Sequence, residues 1–340
     1  MENSSKFPLL KLPMLAIQEV LSTMEPFEIT AFSQMTPKCR NIANLCLKTR
    51  PPFKVVLSAW QHPEINFKMS DSHYLQYKIT PKKHKDGLRR MTKICQTNET
   101  YDKSYIYADD LLQKWMETFD YIKRYLNVEI IDFPFPMDDF PQENCRIIKW
   151  IQSHAPAIPD IGIYGENVPM GDIQLLFNSL KITNRLEVDL EAIGSVPIPP
   201  GLKYFVIVDK GEMSLERFLE LDSIEIRFHF RHLTVPAWIS FLRSWLSLEC
   251  HRNLKMCTMP IETQLDFDLI MQEIPHTEPN PLRVLKRGEF RRPRRAVEIR
   301  RKDGYVATLY MCQYPSGKLL IRMVVEDEVA QNDVQMDYEL

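Results

Sequence analysis

The chain has 340 residues, 44% of them apolar and 26% charged, with a formal net charge of −2 from 43 basic and 45 acidic side chains. That length leaves room for about two domains, and the charge balance provides no global field toward nucleic acid or anionic membrane. Glycine is scarce, 10 against 24 prolines, and neither G-x-G-x-x-G nor G-x-x-x-x-G-K-[ST] occurs, which speaks against glycine-rich phosphate cradles.

Cysteines stand far apart at Cys39, Cys46, Cys95, Cys145, Cys250, Cys257 and Cys312, without a C-x-x-C pair. Scattered thiols fit a reducing compartment, where they act as small buried hydrophobes. No stretch approaches the roughly 18 apolar residues of a spanning helix. The expected location is intracellular, cytoplasmic or nuclear.

Residues 7–35 read FPLLKLPMLAIQEVLSTMEPFEITAFSQM. Lys11 interrupts the apolar run, Pro8 and Pro13 break it, and Gln18-Glu19 stand where a cleavage site would be, so an export signal is not expected. Helices fit better. Pro13 is tolerated in a first turn, and Ala16, Ile17, Val20, Leu21 and Met24 recur at helical spacing. Pro26 starts a second helix, with Phe27, Ile29 and Phe32 apolar and Glu28 in the first turn. Thr36-Pro37 opens a third helix, with Ile42, Ala43, Leu45 and Cys46, which ends at Pro51-Pro52. About forty residues bury too little surface to stand comfortably alone. Some of this apolar surface is therefore expected to meet a partner or the next domain.

Leu12-Pro13 followed by Ile17, Val20-Leu21, Met24, Ile29, Phe32 and Arg40 resembles an F-box, and the phrase FPLLKLP resembles the version in nematode-type F-box proteins. The resemblance implies binding to a Skp-type adaptor and, through it, to a cullin–RING ubiquitin ligase. It also implies that Leu9, Leu12, Pro13, Ile17, Val20, Leu21, Ile29 and Phe32 supply adaptor contacts or support them. Many F-boxes carry a Trp before the third-helix Arg; this chain has Cys39-Arg40.

Farther along, FKVVLSAW (53–60) and YLQYKIT (74–80) are β-branched and aromatic, hence strands. Residues 81–104 are polar and basic, an exposed loop or hairpin. In 109–126 the residues Leu112, Trp115, Met116, Phe119, Ile122 and Leu126 mark the buried face of an amphipathic helix. A strand–helix alternation follows. VEIIDFPF, IGIYG, RLEVDL, LKYFVIVD, SIEIRFHF and NLKMCTM are expected strands. CRIIKWIQSHA, DIQLLFNSLKI, SLERFLEL and TVPAWISFLRSWLSL are expected helices, and LDFDLIMQEI a helix or long turn. One residue per candidate strand, Ile161, Leu186, Tyr204, Ile224, Leu254 and Leu282, gives intervals of 25, 18, 20, 30 and 28 residues. These bracket the period of leucine-rich repeats without showing their signature. The alternation favours a largely parallel sheet. Thr234 is the expected cap of the helix at 234–247, with Trp238, Phe241, Leu242 and Trp245 on its core face.

LTVPAWISFLRSWLSLECHRNLKMCTM resembles a type-2 F-box-associated domain, and VEIRRKDGYVATLY with RMVV after it resembles the strands that follow that domain. The resemblance implies substrate recognition by the carboxy-terminal part, with no ligand-contact residues carried over. Asp303-Gly304 signals a hairpin, Pro315-Ser316-Gly317 a second turn, and the tail is acidic.

The expected fold class is thus α+β or α/β: a three-helix F-box (6–52), a mixed connecting region (53–130), and an irregular leucine-rich-repeat-like F-box-associated domain (131–326). That domain ends in an antiparallel hairpin meander, and an acidic tail (327–340) follows. The function expected is a non-enzymatic substrate-recognition subunit of an SCF-type ligase, with no cofactor, metal or catalytic residue and an unknown protein substrate. Neither membrane nor nucleic acid is an expected partner. Two alternatives remain open at this point. A zinc or hydrolytic enzyme would use His229, His232, Cys250, His251 and Cys257, whose spacing is poor for structural zinc. A nucleic-acid binder would use RRPRR at 291–295 with Arg300, Arg301 and Lys302; the competing reading is a solvated strand edge.

Overall fold

Prolines punctuate the amino-terminal helices in a computed structural model that describes residues 9–47, 50–95, 98–190, 198–208, 214–228, 233–279, 295–313 and 317–326. After a 3₁₀ turn at Leu9–Lys11 come α1 (Met14–Thr23), α2 (Pro26–Met35) and α3 (Pro37–Leu47). Each starts at or beside a proline whose missing N–H is spare in a first turn. Glu28 Oε2 accepts from the Glu25 N–H (2.9 Å) in a reciprocal capping box, and Thr36 Oγ1 accepts from the Cys39 N–H (3.1 Å).

The chain divides into two units, Met1–Asp139 and Phe140–Leu340. In the first, the helices are followed by β1 (Phe53–Ser58), β2 (Glu64–Lys68), β3 (His73–Thr80), β4 (Arg89–Ile94), β5 (Glu99–Tyr107), α4 (Leu111–Tyr125) and β6 (Val128–Pro136). Their order across the sheet is β6-β1-β2-β3-β5-β4. β1 runs parallel to β6 and β3 parallel to β5; the other neighbours are antiparallel. All six residues expected on the buried side of α4 are buried, from Leu112 to Leu126. The Trp115 indole N–H donates to the Glu64 carbonyl (3.0 Å).

The three amino-terminal helices rest on this same unit. The Phe27 ring meets Tyr77 of β3 at 4.5 Å, Ser33 Oγ lies 3.0 Å from the Tyr121 hydroxyl of α4, and Arg40 lies over Tyr125. Residues 81–104, read as an exposed loop or hairpin, contain the β4–β5 hairpin as far as Ser104, and β5 is also a full sheet member beside β3. β6, whose residues the sequence divided between the connecting region and the next domain, pairs with β1 inside the first unit.

The second unit holds α5 (Asn144–His154), β7 (Ala157–Gly165), α6 (Met170–Ser179), β8 (Lys181–Leu190), β9 (Tyr204–Ile207), α7 (Leu215–Leu219), β10 (Glu225–Phe228), α8 (Val235–Leu246), β11 (Met256–Ile261), α9 (Gln264–Glu273), β12 (Arg295–Arg300), β13 (Val306–Gln313) and β14 (Leu319–Glu326). β7 to β11 lie side by side in chain order, all parallel. β14, β13 and β12 continue the sheet antiparallel. Right-handed crossovers between strands that advance in one direction return over one side of the sheet. That side carries Leu186, Val188, Phe205, Ile207, Ile226 and Met259, all buried with the apolar faces of the helices.

The expected cap holds: Thr234 Oγ1 accepts from the Ala237 N–H (3.4 Å), and Trp238, Phe241, Leu242 and Trp245 have no exposed surface. Gly304 supplies the positive φ of +95° in the β12–β13 turn. The candidate strand at Leu282, Pro315-Ser316 and the acidic tail at 327–340 lie outside the described residues.

Candidate partner-docking faces

The amino-terminal residues divide into two groups. Ile17, Leu21, Ile29 and Phe32 are buried, at 3%, 0%, 0% and 8% exposure. They form the interior of the helical trio with Phe27, Cys39, Ile42 and Ala43, so their part in any contact is to hold the helices in place. Leu9, Leu12 and Val20 are half-buried, and Pro13 is exposed. Sequence periodicity passed over three prominent apolar groups, Leu15, Met35 and Met14, which are 77%, 72% and 49% exposed, and placed Leu45, 57% exposed, with residues that are buried. The available signal was negative. Leu15 lies off the stripe formed by Ile17, Val20, Leu21 and Met24, where a polar residue is the norm.

A second open face belongs to the sheet of the second unit. In register across β7, β8, β9 and β10 stand Asp160, Arg185, Tyr204 and Glu225. The neighbouring row is Gly162, Glu187, Val206 and Arg227. Residues directly opposite one another share a face, and these project from the side away from the buried apolar row. Arg185 pairs with Glu187 and Arg227 with Glu225. Asn184 Nδ2 donates to Asp160 (2.6 Å) and the Tyr164 hydroxyl to Glu187 (3.1 Å). Gly162 leaves the space in which the Tyr164 ring lies, since a Cβ there would collide with the ring. The result is a shallow recess of about 650 Å³ with a charge-paired lining.

The candidate metal group separates. His229 and His232 lie outside the described residues. Cys257 is fully sealed and burial pushes its thiol pKa up; burial likewise pushes Cys250 up to about 12. Among the described residues no three His, Cys, Asp or Glu side chains converge on a point that would hold a metal. His251 sits in an aromatic cage, 4.8 Å from the Phe218 ring and 5.3 Å from Phe241. Its ring nitrogens lie toward the backbone of Phe218 and Leu221 without a well-formed hydrogen bond. Burial lowers its pKa to about 4, with the Asp222 carboxylate opposing. A neutral imidazole wedged between rings is a packing element.

The basic cluster is also divided. Arg291 to Arg294 lie outside the described residues, and Arg295 pairs with Asp268. Arg301 is buried. It grips Asp303 through two bonds of 2.8 and 2.9 Å, donates to the Arg252 carbonyl (3.1 Å), and stacks between Trp245 and Tyr305. Arg301 therefore anchors the β12–β13 turn to α8 and offers no charge to a ligand, because its donors are spent inside the fold.

Among the described residues, no helix is long and apolar enough to cross a membrane. No protein-family model, curated protein or solved structure matches the chain.

Proposed function

We propose that this chain is a non-enzymatic, intracellular substrate-recognition subunit of an SCF-type cullin–RING ubiquitin ligase. Its amino-terminal helices are an F-box that docks on a Skp-type adaptor. Its second unit is an irregular leucine-rich-repeat-like, type-2 F-box-associated domain that presents the open sheet face to a protein substrate. The observation that carries this reading is the division of apolar groups in the helical trio. Ile17, Leu21, Ile29 and Phe32 hold the helices together, while Met14, Leu15, Met35 and Leu45 remain outside. Four large apolar side chains exposed on so small a unit are candidates for cover by a partner.

The fold of the second unit supports the receptor role. Among the described residues, parallel strands with helices on one side leave Asp160, Arg185, Tyr204 and Glu225 lining a recess on the other, a geometry suited to a docking surface. The chain would contribute proximity, holding target lysines near a charged carrier enzyme, while the chemistry of transfer resides in other subunits.

Co-purification of the intact chain with a Skp-type adaptor tests the assignment. Replacing Leu12 and Pro13 together by Ala is expected to weaken adaptor capture while the thermal unfolding of the protein stays unchanged. Equal capture by the variant and the parent counts against it.

A further inference from the structure

The first unit has a polar sheet face to which the adaptor reading gives no role. Across β2, β3, β5 and β4 the register sets Asn66, Gln76, Lys103 and Arg90 in one row. Glu64, Lys78 and Tyr105 form the row on one side of it, and Lys68, Tyr74, Tyr101 and Thr92 the row on the other. The opposite side of these strands is the core, with Ile65, Phe67, Leu75 and Ile79 sealed.

The floor of the face is closed and polar. Gln76 and Asn66 are 2% and 6% exposed. Gln76 Nε2 donates to Asn66 Oδ1 (2.7 Å) and to Glu64 Oε2 (2.8 Å), and Lys78 pairs with Glu64. An apolar helix laid on this floor would find no aliphatic pocket.

Toward β4 the face turns cationic. Among the described residues neither Arg90 nor Lys103 has a carboxylate partner at ion-pair distance. Burial, then repulsion from Lys78, pushes the Lys103 pKa below its ordinary value, with the Glu64 carboxylate opposing and Arg90 adding a smaller push. On this face Lys68 pairs with Asp71 (3.0 Å), Lys78 with Glu64, and Glu99 accepts from the Tyr101 hydroxyl (3.1 Å), so the surplus cations are Arg90 and Lys103, with Lys85 added from the preceding turn, where it lies over the Tyr105 ring.

The aromatic rings select the ligand class. A single-stranded nucleic acid needs free ring faces on which bases stack. Here Tyr74 and Tyr101 are stacked on each other, 5.0 Å apart and 12° from parallel, and Lys103 lies over Tyr101. The tyrosines are engaged with each other and with Lys103 instead of forming a row of separate stacking platforms, which leaves ammonium and guanidinium groups to meet a ligand.

We propose that this face binds an acidic, extended segment of a partner protein, with its carboxylates on Arg90 and Lys103. Arg90 and Lys103 stand directly opposite one another on neighbouring strands, so their side chains start about 5 Å apart, and an extended segment that brings carboxylates to one side at about 6.8 Å intervals comes within reach of both long side chains. The proposal goes beyond adaptor docking and stands or falls separately from it.

The test uses the full-length protein and a fluorescein-labelled peptide of about twelve residues alternating glutamate and threonine, with its glutamine counterpart as control. The glutamate peptide is expected to bind, the glutamine peptide to bind at least about tenfold more weakly, and affinity to fall between about 50 and about 200 mM salt. The variant Arg90→Glu/Lys103→Glu, with the parent's thermal transition, is expected to lose the glutamate peptide and gain a lysine–threonine one. Equal binding of the glutamate and glutamine peptides overturns the proposal. So does an unaffected variant, or oligothymidylate competing as well as the acidic peptide. Adaptor capture by the same variant remains at the parent level, which separates this test from that of the F-box reading.

Discussion

Leu15 and Met35 provide the sharpest test of the docking surface, because their exposure makes them nearly irrelevant to folding. Leu15 is 77% and Met35 72% exposed. Complete burial of such a side chain contributes about 1.5–3 kcal/mol, so each still has about 1–2 kcal/mol to gain when a partner covers it. Truncating both to Ala should remove about 3 kcal/mol of binding, or about 100-fold in Kd if the two sites act independently. Titration calorimetry of the full-length variant against the purified adaptor measures this directly. Thermal unfolding of the free variant should match the parent, since surface truncations away from special features stay within about 0.5 kcal/mol. Ile29→Ala supplies the contrast. Its side chain has no exposure, and a large-to-small change at such a site costs about 2–5 kcal/mol of stability. Its effect on binding should follow the unfolded fraction. A double variant that binds within about twofold of the parent would refute the assignment of this surface, whatever the fate of the Leu12 and Pro13 variant.

His251 should make stability depend on acidity. Its folded pKa is lowered to about 4 from an ordinary 6.5, so below about pH 6.5 the unfolded chain takes up a proton that the fold resists. Stability is fully present above that pH and declines as pH falls toward 4, by about 2 kcal/mol at pH 5 and about 3 kcal/mol in total. Urea midpoints across this window report the loss; His251→Phe should flatten that part of the profile, and an unchanged profile would assign the dependence to other groups. Arg301→Ala should cost about 2–3 kcal/mol, because it empties the stack between Trp245 and Tyr305 and removes the donor to the Arg252 carbonyl, while the exposed Asp303 is left to water. Arg301→Lys should rescue little, since an ammonium cannot reproduce the two-pronged grip. Urea denaturation of both variants decides the point, and a fully stable lysine variant would show that charge alone suffices.

The legible parts of the fold are those in which a single element carries its own pattern. The buried side of α4 was complete in the spacing of Leu112, Trp115, Met116, Phe119, Ile122 and Leu126, and that of α8 in Trp238, Phe241, Leu242 and Trp245, because a helix that buries one stripe repeats it every turn. Capping was equally local: Thr234 and Thr36 needed only their own neighbours. β5 was legible only as part of a loop or hairpin, for the opposite reason. All nine of its residues, Glu99 to Tyr107, are half-buried, so the alternation that marks a strand never appears. β2 is only five residues long and includes buried Asn66, a polar residue that belongs to the floor of a sheet face and looks like loop when read alone.

Sites were harder to read than elements because they depend on what lies opposite. Nothing in the local sequence says that Lys103 stands between Gln76 and Arg90, or that Asp160, Arg185, Tyr204 and Glu225 form a row; both follow from register across strands. Arg301 shows the converse error. Within a basic run it looks like one more surface charge, and only Trp245, far along the chain, makes it structural. Leu15 combines both lessons. The stripe of Ile17, Val20 and Leu21 correctly marks the side turned inward, and that same stripe identifies Leu15 as an apolar group on the outward side. A core-facing pattern gives no reason for an apolar group there, so its presence raises a question about another molecule, and the adaptor titration puts that question to the protein.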